Sequence, residues 1–87
     1  MDAKKKIVLV RNSVDGKGLE LAKTLLKENI SVMINGPEQE KIIECLNKLA
    51  HEYCADLLYG VPGNIMSPQE FAKFYGNPQI AEVVSAE

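Results

Sequence analysis

The residues best suited to chemistry in this 87-residue chain lie in one short stretch, Arg11-Asn12-Ser13-Val14-Asp15-Gly16-Lys17-Gly18. Two glycines two positions apart let a chain turn sharply and let another group come close to the backbone. Arg11 and Lys17 supply positive charge, and Ser13 supplies a hydroxyl. Such a turn offers phosphate binding if a strand precedes it and a helix follows, because the first N–H groups of the helix then point at the anion. Asp15 opposes a phosphate by its charge, and Arg11 and Lys17 offset it.

The remaining reactive side chains form no comparable group. Cys45 and Cys54 are not a CxxC pair, and on one continuous helix they would stand ~13 Å apart, beyond disulfide reach. They read as reduced structural thiols. His51 is the single histidine and has no partner at ligand spacing, so it reads as a surface residue. Four residues after Tyr53, Tyr59 and Tyr75 come Leu57, Gly63 and Gln79, so no tyrosine has a lysine one helical turn away to lower its pKa.

The elements that position the turn follow from periodicity. Ile7 to Val10 is a short apolar run typical of a strand covered on both faces. Gly16 and Gly18 open a helix with Leu19, Leu21, Ala22, Leu25 and Leu26 as its apolar positions. That helix ends at Glu28-Asn29-Ile30, where Asn29 takes the left-handed conformation. Ser31 to Ile34 forms a second strand and Asn35-Gly36-Pro37 a turn, with Pro37 at the first position of the next helix. That helix carries Ile42, Leu46, Leu49 and Tyr53 on its apolar stripe, with Glu38 and Glu40 in its first turn. Ala55 to Tyr59 is expected as a third strand, ended by Gly60. After a loop over residues 61–66, Ser67-Pro68-Gln69-Glu70 starts a third helix. It bears Phe71 and Phe74 and stops near Gly76. Asn77-Pro78 breaks the chain, and Ile80 to Val84 makes a fourth strand.

The order β-α-β-α-β-α-β calls for a single α/β domain spanning residues 1–87, a small three-layer parallel sheet with strand order 3-2-1-4. Right-handed crossovers put the first two helices on one face and the short third helix on the other. One face is then expected to be under-covered and strand four a bare edge, which calls for a second copy or a larger protein partner.

Composition narrows the classes. Twelve acids against ten Lys and Arg give a net charge of −2, which offers no electrostatic case for nucleic acid or an anionic membrane. The Lys4-Lys5-Lys6 run reads as a solvated lead-in. No stretch approaches the ~20 apolar residues of a spanning helix. The N-terminus has no apolar signal core, so the cytoplasm is the expected location.

With the motifs in place, the chain resembles the N-terminal part of the short-chain dehydrogenases/reductases over nearly its whole length. The family's Thr-Gly-x-x-x-Gly-x-Gly turn is matched by Arg11, Asn12, Gly16 and Gly18. VMINGPEQEKIIE, from Val32 to Glu44, is similar to a family stretch such as VVINGRNEEKLEE. Asn64-Ile65-Met66-Ser67-Pro68-Gln69 lies where the family shows Asp-Val-x-Asp-Pro-Glu. FAKFYGNPQIAEVVSAE is similar to FGKIDVLVNNAG. The resemblance implies a Rossmann fold and an NAD or NADP site at Arg11, Asn12, Ser13, Gly16, Lys17, Gly18, Asn35, Asn64 and Ile65, with no metal. Departures from the family pattern are equally specific. Asn12 replaces a glycine, Asp15 adds a carboxylate, and Gly36 and Pro37 stand where ribose-recognising residues are found. The Tyr-x-x-x-Lys pair has no counterpart, so no residue is assigned a catalytic role.

Three functions remain open at this level. The leading one is a non-catalytic, degenerate Rossmann-like module that self-associates or binds a protein partner through strand four and the under-covered face. The second is a nucleotide- or dinucleotide-binding domain. The third is a fragment of an NAD(P)-dependent oxidoreductase. For the leading reading, a Val84→Lys charge is expected to dissolve the assembly without unfolding the chain. Sedimentation at tens of micromolar is expected to show an assembly, and a clean monomer overturns that expectation.

Overall fold

The structure, a computed structural model, describes residues 7–63, 65, 67–75 and 80–85. Its elements run β1 (Ile7–Arg11), α1 (Gly16–Lys27), β2 (Ser31–Gly36), α2 (Gln39–Ala50), a 3-10 turn (Ala55–Leu57), β3 (Leu58–Pro62), α3 (Pro68–Tyr75) and β4 (Ile80–Ser85). The four strands form one parallel sheet in the order β3-β2-β1-β4, as expected.

Because side chains alternate along a strand, β1 and β2 feed two separate cores. Val8, Val10, Val32 and Ile34 pack with Ala22 and Leu26 of α1 and with Ile42, Cys45 and Leu49 of α2. Both helices therefore cover one face, as right-handed crossovers dictate. On the other face Ile7, Leu9 and Met33 pack with Val61, Ile65 and Ile80, and Phe71 of α3 lies against them. The expected under-coverage is absent at these positions. Leu9 is fully buried, and Met33 and Val61 are at least nine-tenths buried, within the single chain. A helix of eight residues together with Ile65 from the preceding loop is enough to close the centre of a four-stranded sheet.

The ends of α1 form as the sequence directs. Ile30 N–H bonds the Leu25 carbonyl at 3.1 Å and Asn29 N–H bonds that of Leu26 at 2.9 Å, with Asn29 at φ 66°. This is the paired bonding of a left-handed helix stop. Ser67 caps α3, its Oγ accepting the Glu70 N–H at 3.2 Å.

Several boundaries differ from the sequence reading. Strand β2 continues to Gly36, because Asn35 and Gly36, expected in a turn, pair with Val61 and Pro62 of the next strand. Helix α2 begins at Gln39 rather than Pro37. Its phase is set by Ile42, Cys45 and Leu49, which must meet the sheet, and Glu38 supplies the extended cap whose carbonyl accepts Ile42 N–H at 3.2 Å. The helix stops at Ala50, although Tyr53 N–H still reaches the Leu49 carbonyl at 2.8 Å and its ring joins the first core. The third strand is displaced along the chain. Ala55–Leu57 is a 3-10 turn, and the strand runs from Leu58 to Pro62 with Gly60 inside it. Gly60 lies within the strand because it pairs with Ile34 of β2, and the close approach of α2 suits a glycine there. A Cβ there would stand 2.6 Å from Ile42 Cγ2 and 2.9 Å from Leu46 Cδ1.

Strand β4 extends one residue beyond expectation, to Ser85. Its register against β1 shifts between Ile7, which pairs with Ile80, and Val8, which pairs with Glu82. Val84 is half-buried and packs on the first core. A charge at Val84 would therefore strike the fold itself, and it is no longer a clean probe of association. Gly76, Asn77 and Pro78 lie outside the described residues, as do Lys4, Lys5 and Lys6.

The Gly60 contact makes a direct prediction. Gly60→Ala forces the Ile42 and Leu46 side chains away from β3, and urea unfolding should show a loss of about 1–3 kcal/mol, the usual cost of overpacking.

Candidate functional site

The loops at the carboxyl ends of the strands meet above β1, between the chain's excursion to β2 and its return to β4. In an open parallel sheet this reversal of direction is where a crevice forms. Here it is a cleft of ≈ 530 Å³, with Arg11, Lys17 and Lys41 on its walls and Asp15 and Glu38 among them. Pro37 and Ser85 complete its rim. A second, adjoining hollow is bounded by Arg11, Asn12, Asn35, Pro37 and Gly63.

The turn between β1 and α1 is built in three steps. Asn12 takes the left-handed conformation at φ 52°, as Asn in the place of a glycine can. Gly16 also has a left-handed φ of 63°, and space around it is open. Gly18 has a different reason to be glycine. A Cβ there would collide with the Asn12 carbonyl, so the start of α1 lies directly on the turn. The two glycines thus divide the work, one for backbone conformation and one for close approach.

The first N–H groups of a helix have no carbonyl partner within it. At α1 the cap residue Asp15 makes no side-chain capping bond, and no acid lies in the first turn. The N-terminus of α1 therefore presents backbone donors to the cleft. Lys17 is exposed beside them. Lys41 reaches Glu38 at 3.8 Å, both side chains well exposed, and such a surface pair is weakly held.

Of the sequence-predicted residues, Arg11, Asn12, Gly16, Lys17 and Gly18 line the cleft. Ser13 does not present its hydroxyl there. It is fully buried, and its Oγ donates to the Val10 carbonyl at 2.6 Å and accepts the Asn35 N–H at 2.9 Å. Asn35 borders the smaller hollow, but both carboxamide hydrogens are directed into the protein, to the carbonyls of Val61 at 3.0 Å and Gly63 at 2.9 Å. Direct contact with a ligand through the Ser13 hydroxyl or the Asn35 amino group would cost these bonds, so both side chains build the floor of the site. Ile65 is buried in the second core. Asn64 lies outside the described residues. The sequence reading missed Glu38 and Lys41 as wall residues. Their place in and before the first turn of α2, beside Gly36 and Pro37, was the available signal.

The phosphate end of a dinucleotide fits these residues: backbone donors, the close approach at Gly18, and three cations nearby. At the ribose end Gly36 carries no acid, but Glu38 places a carboxylate in the same cleft two residues later. Among the described residues no group of three or more His, Cys, Asp and Glu could hold a metal ion.

Both cysteines are free thiols, Cys45 buried and Cys54 exposed. Burial pushes the Cys45 thiol up, with Lys48 and Lys23 pulling the other way. Its Sγ faces the Ser13 carbonyl at 3.9 Å. A folded-state pKa above the unfolded value stabilises the protein below the unfolded pKa, and that stability is lost as pH rises toward the folded one. Stability should accordingly decline as pH passes from neutral into the alkaline range. Iodoacetamide should label Cys54 quickly in the native chain, while Cys45 reacts only on unfolding. Equal native rates would contradict this placement.

No family model and no curated protein matches the sequence. Solved structures do share its fold. MalC reductase/Diels-Alderase from Malbranchea aurantiaca superposes with a TM-score of 0.72 at 15% identity, over 97% of this chain and 37% of that one. An actinorhodin polyketide ketoreductase variant solved with NADPH gives a TM-score of 0.66 at 23% identity, over 98% of this chain and 34% of that one. A short chain dehydrogenase from Bacillus anthracis gives 0.62 at 22%, over 82% and 29%. The chain spans about a third of the length of these enzymes. The shared fold is a Rossmann-like parallel α/β sheet, which this chain has in common with part of each of these enzymes.

Proposed function

We propose that this chain is a non-catalytic Rossmann-like module that binds the phosphates of a nucleotide, of the ADP or NAD(P) type, in the cleft at the start of α1. The observation that carries this reading is the uncapped N-terminus of α1 opening into a ≈ 530 Å³ cleft at the point where the strand order reverses, with Arg11, Lys17 and Lys41 around it. Among the described lining residues Arg11, Lys17 and Lys41 stand with Asp15 and Glu38, and the positive end of the α1 dipole adds its attraction for an anion. Asp15 sets the limit on affinity. Its charge lies at the mouth, yet it caps nothing with its side chain. Glu38 can accept a hydrogen bond from a ribose hydroxyl, which favours a nucleotide over a bare phosphate.

A second reading, association with a second copy or a larger partner, is favoured by one observation. Among the described residues β4 lies at the end of the strand order beside β1, and residues 80–84 include neither Pro nor Gly to discourage the approach of another strand. It has less support than the nucleotide reading because the centre of the second sheet face is buried within the chain.

Titration with ADP, NAD, NADP and AMP, followed by backbone amide shifts, tests the first reading. Shifts at Gly16, Lys17 and Gly18 are expected, weakening with added salt. Asp15→Asn should tighten ADP binding several-fold and cost only about 0.3–1 kcal/mol of stability, the value of a charge at a helix N-terminus. Lys17→Ala should weaken binding. Absence of shifts at millimolar ligand overturns the reading.

A further inference from the structure

Beneath the cleft a continuous set of buried hydrogen bonds ties the carboxyl ends of three strands together. Ser13 Oγ donates to the Val10 carbonyl and accepts the Asn35 N–H, while Ser13 N–H donates to the Asn35 carbonyl at 2.9 Å. The Asn35 side chain then donates to the carbonyls of Val61 and Gly63, and Gly63 N–H donates to the Gly36 carbonyl at 3.0 Å. Ser13 and Asn35 are each at least nine-tenths buried.

We propose that Ser13 and Asn35 are positioning residues, which hold the β1, β2 and β3 exit loops in the binding geometry without touching the ligand. The inference rests on the nucleotide reading above. Ser13 fixes both ends of the Arg11-Asn12 excursion, and so sets where those two residues stand over the strand ends. One Asn35 carboxamide fixes the exit of β3, where Gly63 turns at φ 104°, and so sets the far wall of the smaller hollow. Neutral hydrogen bonds suit this task. They hold the loops in a dry setting without adding a charge that would compete with the phosphate. Preorganised loops lose little freedom on binding, so loosening them weakens affinity even when every contacting group is retained.

Ser13→Ala, Ser13→Thr and Asn35→Asp separate this role from general stability. Asn35→Asp keeps the shape and removes both donors. ADP affinity is measured by amide shifts at a temperature where circular dichroism shows each variant folded. Ser13→Ala and Asn35→Asp are expected to bind ADP about tenfold more weakly, and Ser13→Thr, which retains the hydroxyl, is expected to recover most of the loss. Folded variants that bind like the original chain overturn the proposal and leave the nucleotide reading standing. Should a variant not fold, hydrogen exchange in the unaltered chain decides. Saturating ADP should slow exchange at Asn35 and Gly63, and unchanged rates there overturn the proposal. No ADP shift anywhere in the unaltered chain overturns both statements.

Discussion

The structure depends on Ser13 folding back onto β2. The regular pairing of β1 with β2 ends at Val10 opposite Ile34, and three residues later Ser13 N–H donates to the Asn35 carbonyl while its Oγ accepts the Asn35 N–H. Arg11 and Asn12 leave the β2 side between these two attachments, Arg11 still paired with Ser85 of β4. Their displacement puts Asn12 in a left-handed conformation and its carbonyl against Gly18, which in turn seats the first turn of α1. A single buried hydroxyl thus links the ladder to the direction of a helix. Removing one partner of such a bond leaves buried polar atoms unsatisfied at about 1–3 kcal/mol each, a large share of the margin in a chain of this size.

The same region couples the turn to the helical layer on this face of the sheet. Cys45 of α2 packs into the first core and faces the Ser13 carbonyl, so α2 rests on the turn as well as on the strands. Gly36 and Gly60 let α2 and Val14 lie close to β2 and β3. The helical face is therefore tightly specified. The opposite face is closed more economically, by Phe71, Ile65 and the strand residues themselves. A small α/β sheet of this kind does not need two full helical layers, because four parallel strands present only a narrow apolar band to cover.

The fold is shared with reductases about three times as long, at identities of 15–23%. A common fold carries the crevice and the helix terminus, since both follow from topology. It does not carry the side chains that decide what occupies the crevice. In this chain the charged side chains described there are Arg11, Lys17 and Lys41 beside Asp15 and Glu38.

Local sequence determined a good deal. The Ile7–Val10 run, the left-handed stop at Asn29 and the Ser67 cap are each specified by a few neighbouring residues, and each formed as read. Once strand four is placed beside strand one, crossover handedness puts the first two helices on one face and the third on the other, and the sheet has that order. The third strand was misplaced because a glycine inside a short apolar run looks like an end. Pairing with Ile34 of β2, distant in sequence, places Gly60 within the strand, and α2 then lies close against it. The candidate site divided in the same way. The glycine turn was legible because conformation and spacing are local properties. That Ser13 and Asn35 point inward, and that Lys41 and Glu38 join the wall, was decided by tertiary structure. A hydroxyl or amide is equally suited to a ligand or to a buried carbonyl, and only the packing of three strand ends fixes which one it meets.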